Sequence, residues 1–372
     1  MHTTEKASGQ VGTIAYMSQP GEIEFQQHEL PAELEPGSLL LEVLQTNVCG
    51  SDIHVFAGRH PVIKCGGLGH EMVGRVIAMA PDVHTDRAGT PLKLGDRVVP
   101  VYTAICNGCE NCDRGVLNHC DNAFHHFGRS HLRPYFGGAT FATHYLLYPD
   151  QYFYRVPDRV ENAAAASANC ALSQVLFGLE RSQVGLGQTV VIQGAGGLGL
   201  CAAAVARERG ARVIVLDKIA ARLGLARSFG AEHVIDVNEV PELQDRVELV
   251  KRLANAQGAD VVVEVTGVPS VFSEGISYLR PEGTYAVMGT ISPGQTAAFD
   301  PGLMVRKSAR VLGINRYPPG YLHQAMAFLE RCKDKYPFEK MLDRTFTLDQ
   351  TQLAIEMSER REVQRATIVV NA

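Results

Sequence analysis

Residues 189–200 read Thr189-Val190-Val191-Ile192-Gln193-Gly194-Ala195-Gly196-Gly197-Leu198-Gly199-Leu200. A β-branched run of strand length meets a glycine-rich turn, and the stretch Leu200 to Glu208 follows with a helical composition. The next run, Arg212 to Leu216, is again strand-like and closes on Asp217. Strand, glycine loop, helix and second strand in this order form the βαβ unit that binds a dinucleotide. Gly194, Gly196, Gly197 and Gly199, with Leu198 among them, let backbone approach a pyrophosphate, and the helix N-terminus attracts its charge. A carboxylate at Asp217 accepts hydrogen bonds from the adenosine ribose and repels a 2′-phosphate, which favours NAD over NADP. Lys218 and Arg222 pull the other way, because either side chain is long enough to reach a phosphate. A merely tight turn is the plainer reading of the glycines, and the ordered elements around them argue against it.

From this unit the pattern extends to residue 315. Apolar runs at Val190-Val191-Ile192, Arg212 to Leu216, His233 to Val237, Val261 to Val265, Thr284 to Met288 and Arg310 to Ile314 alternate with helix-length segments. Such near-continuous apolar strands predict an α/β, doubly wound parallel sheet of six strands, the Rossmann arrangement, over 172–315. Upstream the texture is different. Val11 to Met17, Leu39 to Gln45 and Val73 to Met79 are strand-like, Glu35-Pro36-Gly37-Ser38 is a turn, and Gly95-Asp96 leads into another strand. This is a β-rich domain with long loops. Asn162 to Leu172 is alanine-rich and reads as helix. After Pro318-Pro319-Gly320 come a helix, Tyr321 to Cys332, and a last strand, Arg365 to Val370. The expected division is 1–171 with 316–372 as one domain and 172–315 as the other.

The 372 residues carry a net charge of −5, with 45% hydrophobic and 20% charged residues. That balance argues against general affinity for nucleic acid or membrane surfaces. No run approaches the roughly 18 apolar residues of a membrane span, and the first residues lack a signal pattern. A cytoplasmic protein is expected, in which the nine cysteines stay reduced and free for metal.

Two clusters use them. Cys106, Cys109, Cys112 and Cys120 follow C-x2-C-x2-C-x7-C. Four thiolates so close together close a tetrahedral shell around zinc, leaving no open position, so the site is structural. An iron–sulfur cluster uses similar spacing and disulfides are the plainer alternative; the dinucleotide motif and the compartment disfavour them. The second cluster is Cys49-Gly50-Ser51-Asp52-Ile53-His54, followed by Gly69-His70-Glu71. A thiol, hydroxyl, carboxylate and imidazole within six residues are hard to explain as core packing. Cys49 and His70 read as two ligands of one metal, and Ser51 also suits a helix N-cap. Cys65, close to His70, is a rival ligand, whereas Cys201 reads as packing.

Taken together these motifs resemble the zinc-dependent alcohol dehydrogenases of the medium-chain dehydrogenase/reductase superfamily, from about Val11 to Val370. The resemblance implies a GroES-like catalytic domain beside the Rossmann domain. It implies two zinc ions per chain, a nicotinamide cofactor, a small-molecule alcohol or ketone substrate, and a homodimer or homotetramer. Cys49, His70 and Cys170, the last in Asn169-Cys170-Ala171, match the catalytic zinc ligands. Glu71 matches a nearby carboxylate that ligates transiently. Ser51 and His54 match the ends of a proton relay, and Asp52 the carboxylate behind a ligating histidine. Arg365 matches an arginine at the cofactor pyrophosphate. Two thiolates, one imidazole and zinc carry a net charge near zero, so the ion lowers the pKa of a bound alcohol and hydride passes to the nicotinamide.

Some positions depart from the family's pattern. Gly50 stands where a basic residue is frequent, and Gln174 where a threonine is. The segment His125-His126-Phe127-Gly128-Arg129-Ser130-His131-Leu132-Arg133 is short and basic. It suits either a polar substrate or a solvated face. The reading favours a polar secondary alcohol: a polyol, sugar, cyclitol or amino-cyclitol. Asn315 to Pro319 is similar to members of phosphonate or natural-product pathways. A zinc-free reductase would lack Cys49, His70 and the cysteine lobe. A non-catalytic NAD-binding protein would be expected to have lost ligands that are present here.

Overall fold

A computed structural model describes residues 10–60, 63–124, 138–254, 256–289 and 294–370. The chain divides into two compact units. One comprises Met1–Cys170, Pro318–Lys333 and Phe338–Ala372; the other comprises Ala171–Tyr317 and Asp334–Pro337. The segment His125 to Arg133 lies outside the described residues.

The first unit is the β-rich one. Its strands are β1 (Val11–Gln19), β2 (Glu22–Glu29), β3 (Leu39–Asn47), β4 (Gly66–Gly67), β5 (Glu71–Met79), β6 (Arg97–Ala104), β7 (His144–Leu147) and β8 (Gln151–Arg155). The second unit contributes β9 (Thr189–Gln193), β10 (Arg212–Asp217), β11 (His233–Asp236), β12 (Ala259–Glu264), β13 (Leu279–Val287) and β14 (Arg310–Gly313). The chain then returns to the first unit with β15 (Arg344–Phe346) and β16 (Ala366–Val369).

In the second unit the sheet order is β11-β10-β9-β12-β13-β14, and every pair is parallel. The order reverses between β9 and β12, which places the glycine turn after β9 at the switch point where doubly wound sheets bind ligands. Val190, Val191, Ile192, Val262 and Val263 are fully buried, as strands covered on both faces require. The helix after the turn starts at Gly197, three residues before the expected Leu200, because the glycines themselves supply its first turn.

In the first unit the main sheet runs β15-β16-β3-β5-β6-β8, with β7 also on β3. Leu39, Leu41 and Val43 of β3 are solvent-free and pack with Met72, Val76 and Val98. Each such side chain contributes about 1.5–3 kcal/mol relative to exposure. The antiparallel register pairs Asn47 with Glu71 on one side of β3 and with Thr367 on the other. That register brings the ends of three strands distant in sequence to one place.

One strand was missed and one local expectation needs correction. Strand β2 was not legible, because its Glu, Gln and His residues leave one face polar and exposed. The alanine-rich stretch is not one helix. It is a short turn of helix at Asn162–Ala165, a π-helical segment at Ala168–Leu172, and a new helix at Ser173–Arg181. Composition alone does not reveal the extra residue that a π-turn accommodates.

Candidate metal and cofactor sites

Strand β3 ends at Asn47, and Cys49 caps the helix Gly50–Phe56 two residues later. The N-cap is therefore Cys49, not Ser51, which sits inside the first turn. Asp52, at the third helical position, is buried, and its carboxylate serves two neighbours. Oδ2 accepts the Cys49 backbone N–H at 2.8 Å, and Oδ1 lies 3.2 Å from His70 Nδ1. Because Nδ1 faces Asp52, His70 presents Nε2 to a ligand; the tautomer follows from this contact. His70 immediately precedes β5, and the Asn47–Glu71 register sets it beside Cys49. Tyr102 of β6 meets the His70 ring edge-on, with centroids 5.4 Å apart.

Cys170 lies in the π-helical segment, and its Sγ is 3.9 Å from that of Cys49. Sulfurs bound to one tetrahedral zinc at about 2.3 Å stand about 3.8 Å apart. The donor atoms of Cys49, His70, Glu71 and Cys170 all lie within 4.8 Å of one another. The geometry and the sulfur–nitrogen donor set fit zinc. The Cys170 thiol, hydrogen-bonded to the Cys49 sulfur, holds Cys49 well below its ordinary range and is itself pushed well above. Burial alone would lower His70; the Asp52 carboxylate and Cys49 outweigh it and raise it well above the usual imidazole value.

Glu71 is fully buried, and its carboxylate pairs with the Arg365 guanidinium. Burial pushes Glu71 up to about 7 against the pull of Arg365. Arg365 thus stands beside Glu71, just ahead of β16. Ser51 and His54 lie one turn apart on the Gly50–Phe56 helix. Arg59 donates its Nε–H to His54 Nδ1 at 3.2 Å and pairs with Glu359 at 2.9 Å. Burial, with Arg59 adding to it, lowers His54 below the ordinary imidazole value, and Glu359 and Cys49 oppose the shift.

Cys106, Cys109, Cys112 and Cys120 form the other group. Cys106 Sγ is 3.5 Å from Cys120 Sγ and 4.0 Å from Cys112 Sγ, again the spacing of a shared tetrahedral ion. Among the described residues the lobe's buried core is Ile105, Cys120 and Ala123, with Leu117 and Tyr152 packed against it, so an ion would hold what this small core does not. The Asn122 side chain and the Gly108 backbone hold the Cys106 thiol down at about 6. All nine cysteines are free of disulfides, and the exposed Cys65 belongs to neither group.

In the second unit Gly194 takes φ +106°, and a Cβ on Gly199 would meet the Gly194 carbonyl oxygen at 1.9 Å. Both positions need glycine, and the helix start they create is the cradle a pyrophosphate requires. Leu198 is in that first turn, with Gly196 as its N-cap. Asp217 ends β10 and accepts the N–H groups of Ala195, Lys218 and Ile219 at 2.7, 2.7 and 2.9 Å. It thereby ties the glycine turn to the next helix start. Lys218 is exposed and Arg222 half-buried beside it. Buried Glu264, which the sequence did not flag, accepts the N–H groups of Thr266, Gly267 and Gly289 at 2.7, 2.8 and 3.2 Å. Gln174 donates to the Ile314 carbonyl at 3.3 Å.

Sequence reasoning also missed Asn47, Ser167 and Asn169. Their only signal was polarity where the neighbours are apolar, at the end of a strand and within an alanine run.

A dinucleotide sheet in the same chain as a metal shell of three sulfur and nitrogen donors is the mark of a metal-dependent dehydrogenase. Residues 35–158 match the family description "Alcohol dehydrogenase GroES-like domain", and residues 197–331 match "Zinc-binding dehydrogenase". A 5-exo-hydroxycamphor dehydrogenase from Pseudomonas putida is 34% identical, over 87% of this chain and 89% of its own length. A sorbitol dehydrogenase from Halalkalibacterium halodurans is 31% identical over 85% and 88%. The crystal structure of an alcohol dehydrogenase from Thermotoga maritima superposes with a TM-score of 0.90 at 27% identity, covering 98% of this chain and all of that one. The chain belongs to the zinc-type alcohol dehydrogenases of the medium-chain dehydrogenase/reductase superfamily, and it is an oxidoreductase. The family implies zinc and a nicotinamide cofactor. No helix among the described residues is long and apolar enough to cross a membrane.

Proposed function

We propose that the chain oxidises a polar secondary alcohol (a polyol, sugar, cyclitol or amino-cyclitol) to the ketone with NAD, and runs the reverse reaction when the ketone is in excess. The observation that carries this reading is the convergence of Cys49, His70 and Cys170, with donor atoms within 4.8 Å. The sorbitol dehydrogenase among the relatives supports the polyol class. When bound, zinc supplies Lewis-acid polarisation of the substrate oxygen and NAD supplies the hydride acceptor.

The remaining work falls to the chain. Cys49, His70 and Cys170 would hold the ion, a set of three protein donors being that of a catalytic rather than a structural zinc site. Asp52 fixes both Cys49 and His70, so their donor atoms do not wander between turnovers. Ser51 takes the hydroxyl proton and His54 returns it to solvent; the lowered value of His54 keeps its imidazole neutral into mildly acidic solution. Glu71, its charge countered by Arg365, stands beside these donors and would serve as a further carboxylate donor to the ion. Asp217 receives the adenosine ribose and disfavours NADP, while the glycine turn carries the pyrophosphate. Cys106, Cys109, Cys112 and Cys120 would hold a second, structural zinc. A homodimer or homotetramer in the cytoplasm completes the reading.

A second substrate class has its own support. The 34%-identical relative is named for a hydroxylated camphor, an alcohol with little polarity beyond its hydroxyl and carbonyl. The test is one screen: polyols, cyclitols, amino-sugars and hydroxylated terpenes, each with NAD and with NADP, followed at the nicotinamide absorbance. Turnover of a polyol or cyclitol with NAD is expected. Activity confined to the terpene alcohols would replace the first reading by the second, and activity with NADP alone would overturn the role given to Asp217.

A further inference from the structure

Cys170 is the ligand that the sequence places least well. It lies 121 residues from Cys49, on a segment that is neither strand nor regular helix. Two asparagines bind that segment to the rest of the site. Asn169 Nδ2 donates to the His70 carbonyl at 2.8 Å and to the Pro100 carbonyl at 3.0 Å. One amide group thus joins the third ligand's segment to the backbone of the second ligand and to β6. Asn47, solvent-free at the end of β3, donates to the Ser167 hydroxyl at 3.0 Å. Its own orientation is fixed from behind, because Asn47 Oδ1 accepts the Thr367 hydroxyl at 2.7 Å. Thr367 in turn receives an amide N–H of buried Gln45 at 2.8 Å.

Through Ser167 and Asn169 the tetrapeptide Ser167-Ala168-Asn169-Cys170 is therefore referenced to the end of β3, to the His70 backbone and to β6. A π-turn is a rare, single-turn irregularity found often at functional sites, and here side-chain bonds from Asn169 and to Ser167 fasten it on the strand side. Resting on the reading of Cys49, His70 and Cys170 as the catalytic zinc site, we infer that Asn169 and the Asn47–Ser167 pair are positioning residues. They set where the Cys170 sulfur stands, and so set the affinity of that site for its metal. They touch neither substrate nor the reacting atoms. Outer partners of metal ligands commonly govern affinity by about 10–100-fold.

The experiment uses the full chain purified with zinc. Zinc is counted after dialysis against a graded chelator series, and cobalt replacement is followed through the thiolate-to-cobalt absorption. Thermal unfolding and NADH fluorescence are measured alongside. Asn169→Ala is expected to release one of two zinc ions at about 10–100-fold lower chelator strength, with the other ion and NADH binding unchanged. Ser167→Ala should shift the same ion less, and Ser167→Thr, which keeps the hydroxyl, should restore it. A wild-type affinity for both ions in Asn169→Ala overturns the inference. Should that variant fail to fold, unchanged release from a folded Ser167→Ala overturns it equally. A wild-type chain with a single ion that Cys49→Ala does not remove would overturn the site reading itself, and the inference with it.

Discussion

The four-cysteine lobe takes its donors from residues 106–120, whereas Cys49 and Cys170 are 121 residues apart and meet across 3.9 Å. The donor types overlap, but the routes to the two sites do not. In the lobe the spacing of cysteines along one loop is nearly sufficient, since the chain there has little else to pack. At Cys49, His70 and Cys170 the donors are delivered by a sheet register and a hydrogen-bonded turn, each stabilised by the surrounding core. A closed thiolate shell is a folding device, while an open shell has to be positioned by groups that are not ligands.

That contrast is broken most directly by removing a ligand from each site. Cys49→Ala or His70→Ala should cost about 1,000-fold or more in turnover, the several kcal/mol that a Lewis acid supplies. One zinc and normal NADH affinity should remain. A variant with full turnover would show that the two sites do not divide labour as described. Cys112→Ser should instead leave catalytic chemistry in the surviving folded protein and lower thermal stability. Each kcal/mol lost moves the melting midpoint by about 2–4 °C in a domain of this size. Equal losses of turnover in the two variants would erase the distinction.

Positioning sharpens the contrast at the next level. Asp52→Asn keeps an acceptor for one neighbour only, so zinc affinity at the open site should fall about 10–100-fold while the lobe's ion stays. Metal counting on the folded variant decides it. In the second unit, Asp217→Asn should weaken NAD by about tenfold, the loss of one hydrogen bond to a charged group, and narrow its preference over NADP. Cofactor titration by fluorescence reads both, and an unchanged ratio would remove Asp217 from cofactor selection.

The smallest effect concerns pH. Proton uptake needs His54 neutral, and its burial beside Arg59 disfavours the imidazolium, so the acid limb of kcat/KM should lie below the value near 6.5 of a free imidazole. Arg59→Ala removes a cation and should raise that limb. Glu359→Gln removes an anion and should lower it. The two displacements are expected in opposite directions from the wild-type limb. Limbs that coincide in all three proteins would take His54 out of the relay.

The chain's order of apolar runs, its glycine turn and the C-x2-C-x2-C-x7-C spacing were decisive by themselves, because strand period, backbone clearance at Gly194 and Gly199, and local chelation are short-range properties. Cys49 and His70 were legible for a related reason: each lies in a dense local constellation. The partner of Glu71 was not, since Arg365 reaches it only because β16 and β5 pair antiparallel with opposite edges of β3. Nor was the break in the alanine-rich stretch, where composition says helix and the bonds of Asn169 to the His70 and Pro100 carbonyls accompany a π-turn. The roles of Asn47 and Ser167 belong to the same class. A polar side chain declares its capacity to bond in the sequence, but the buried partner that uses it is chosen only when the strands have found their register.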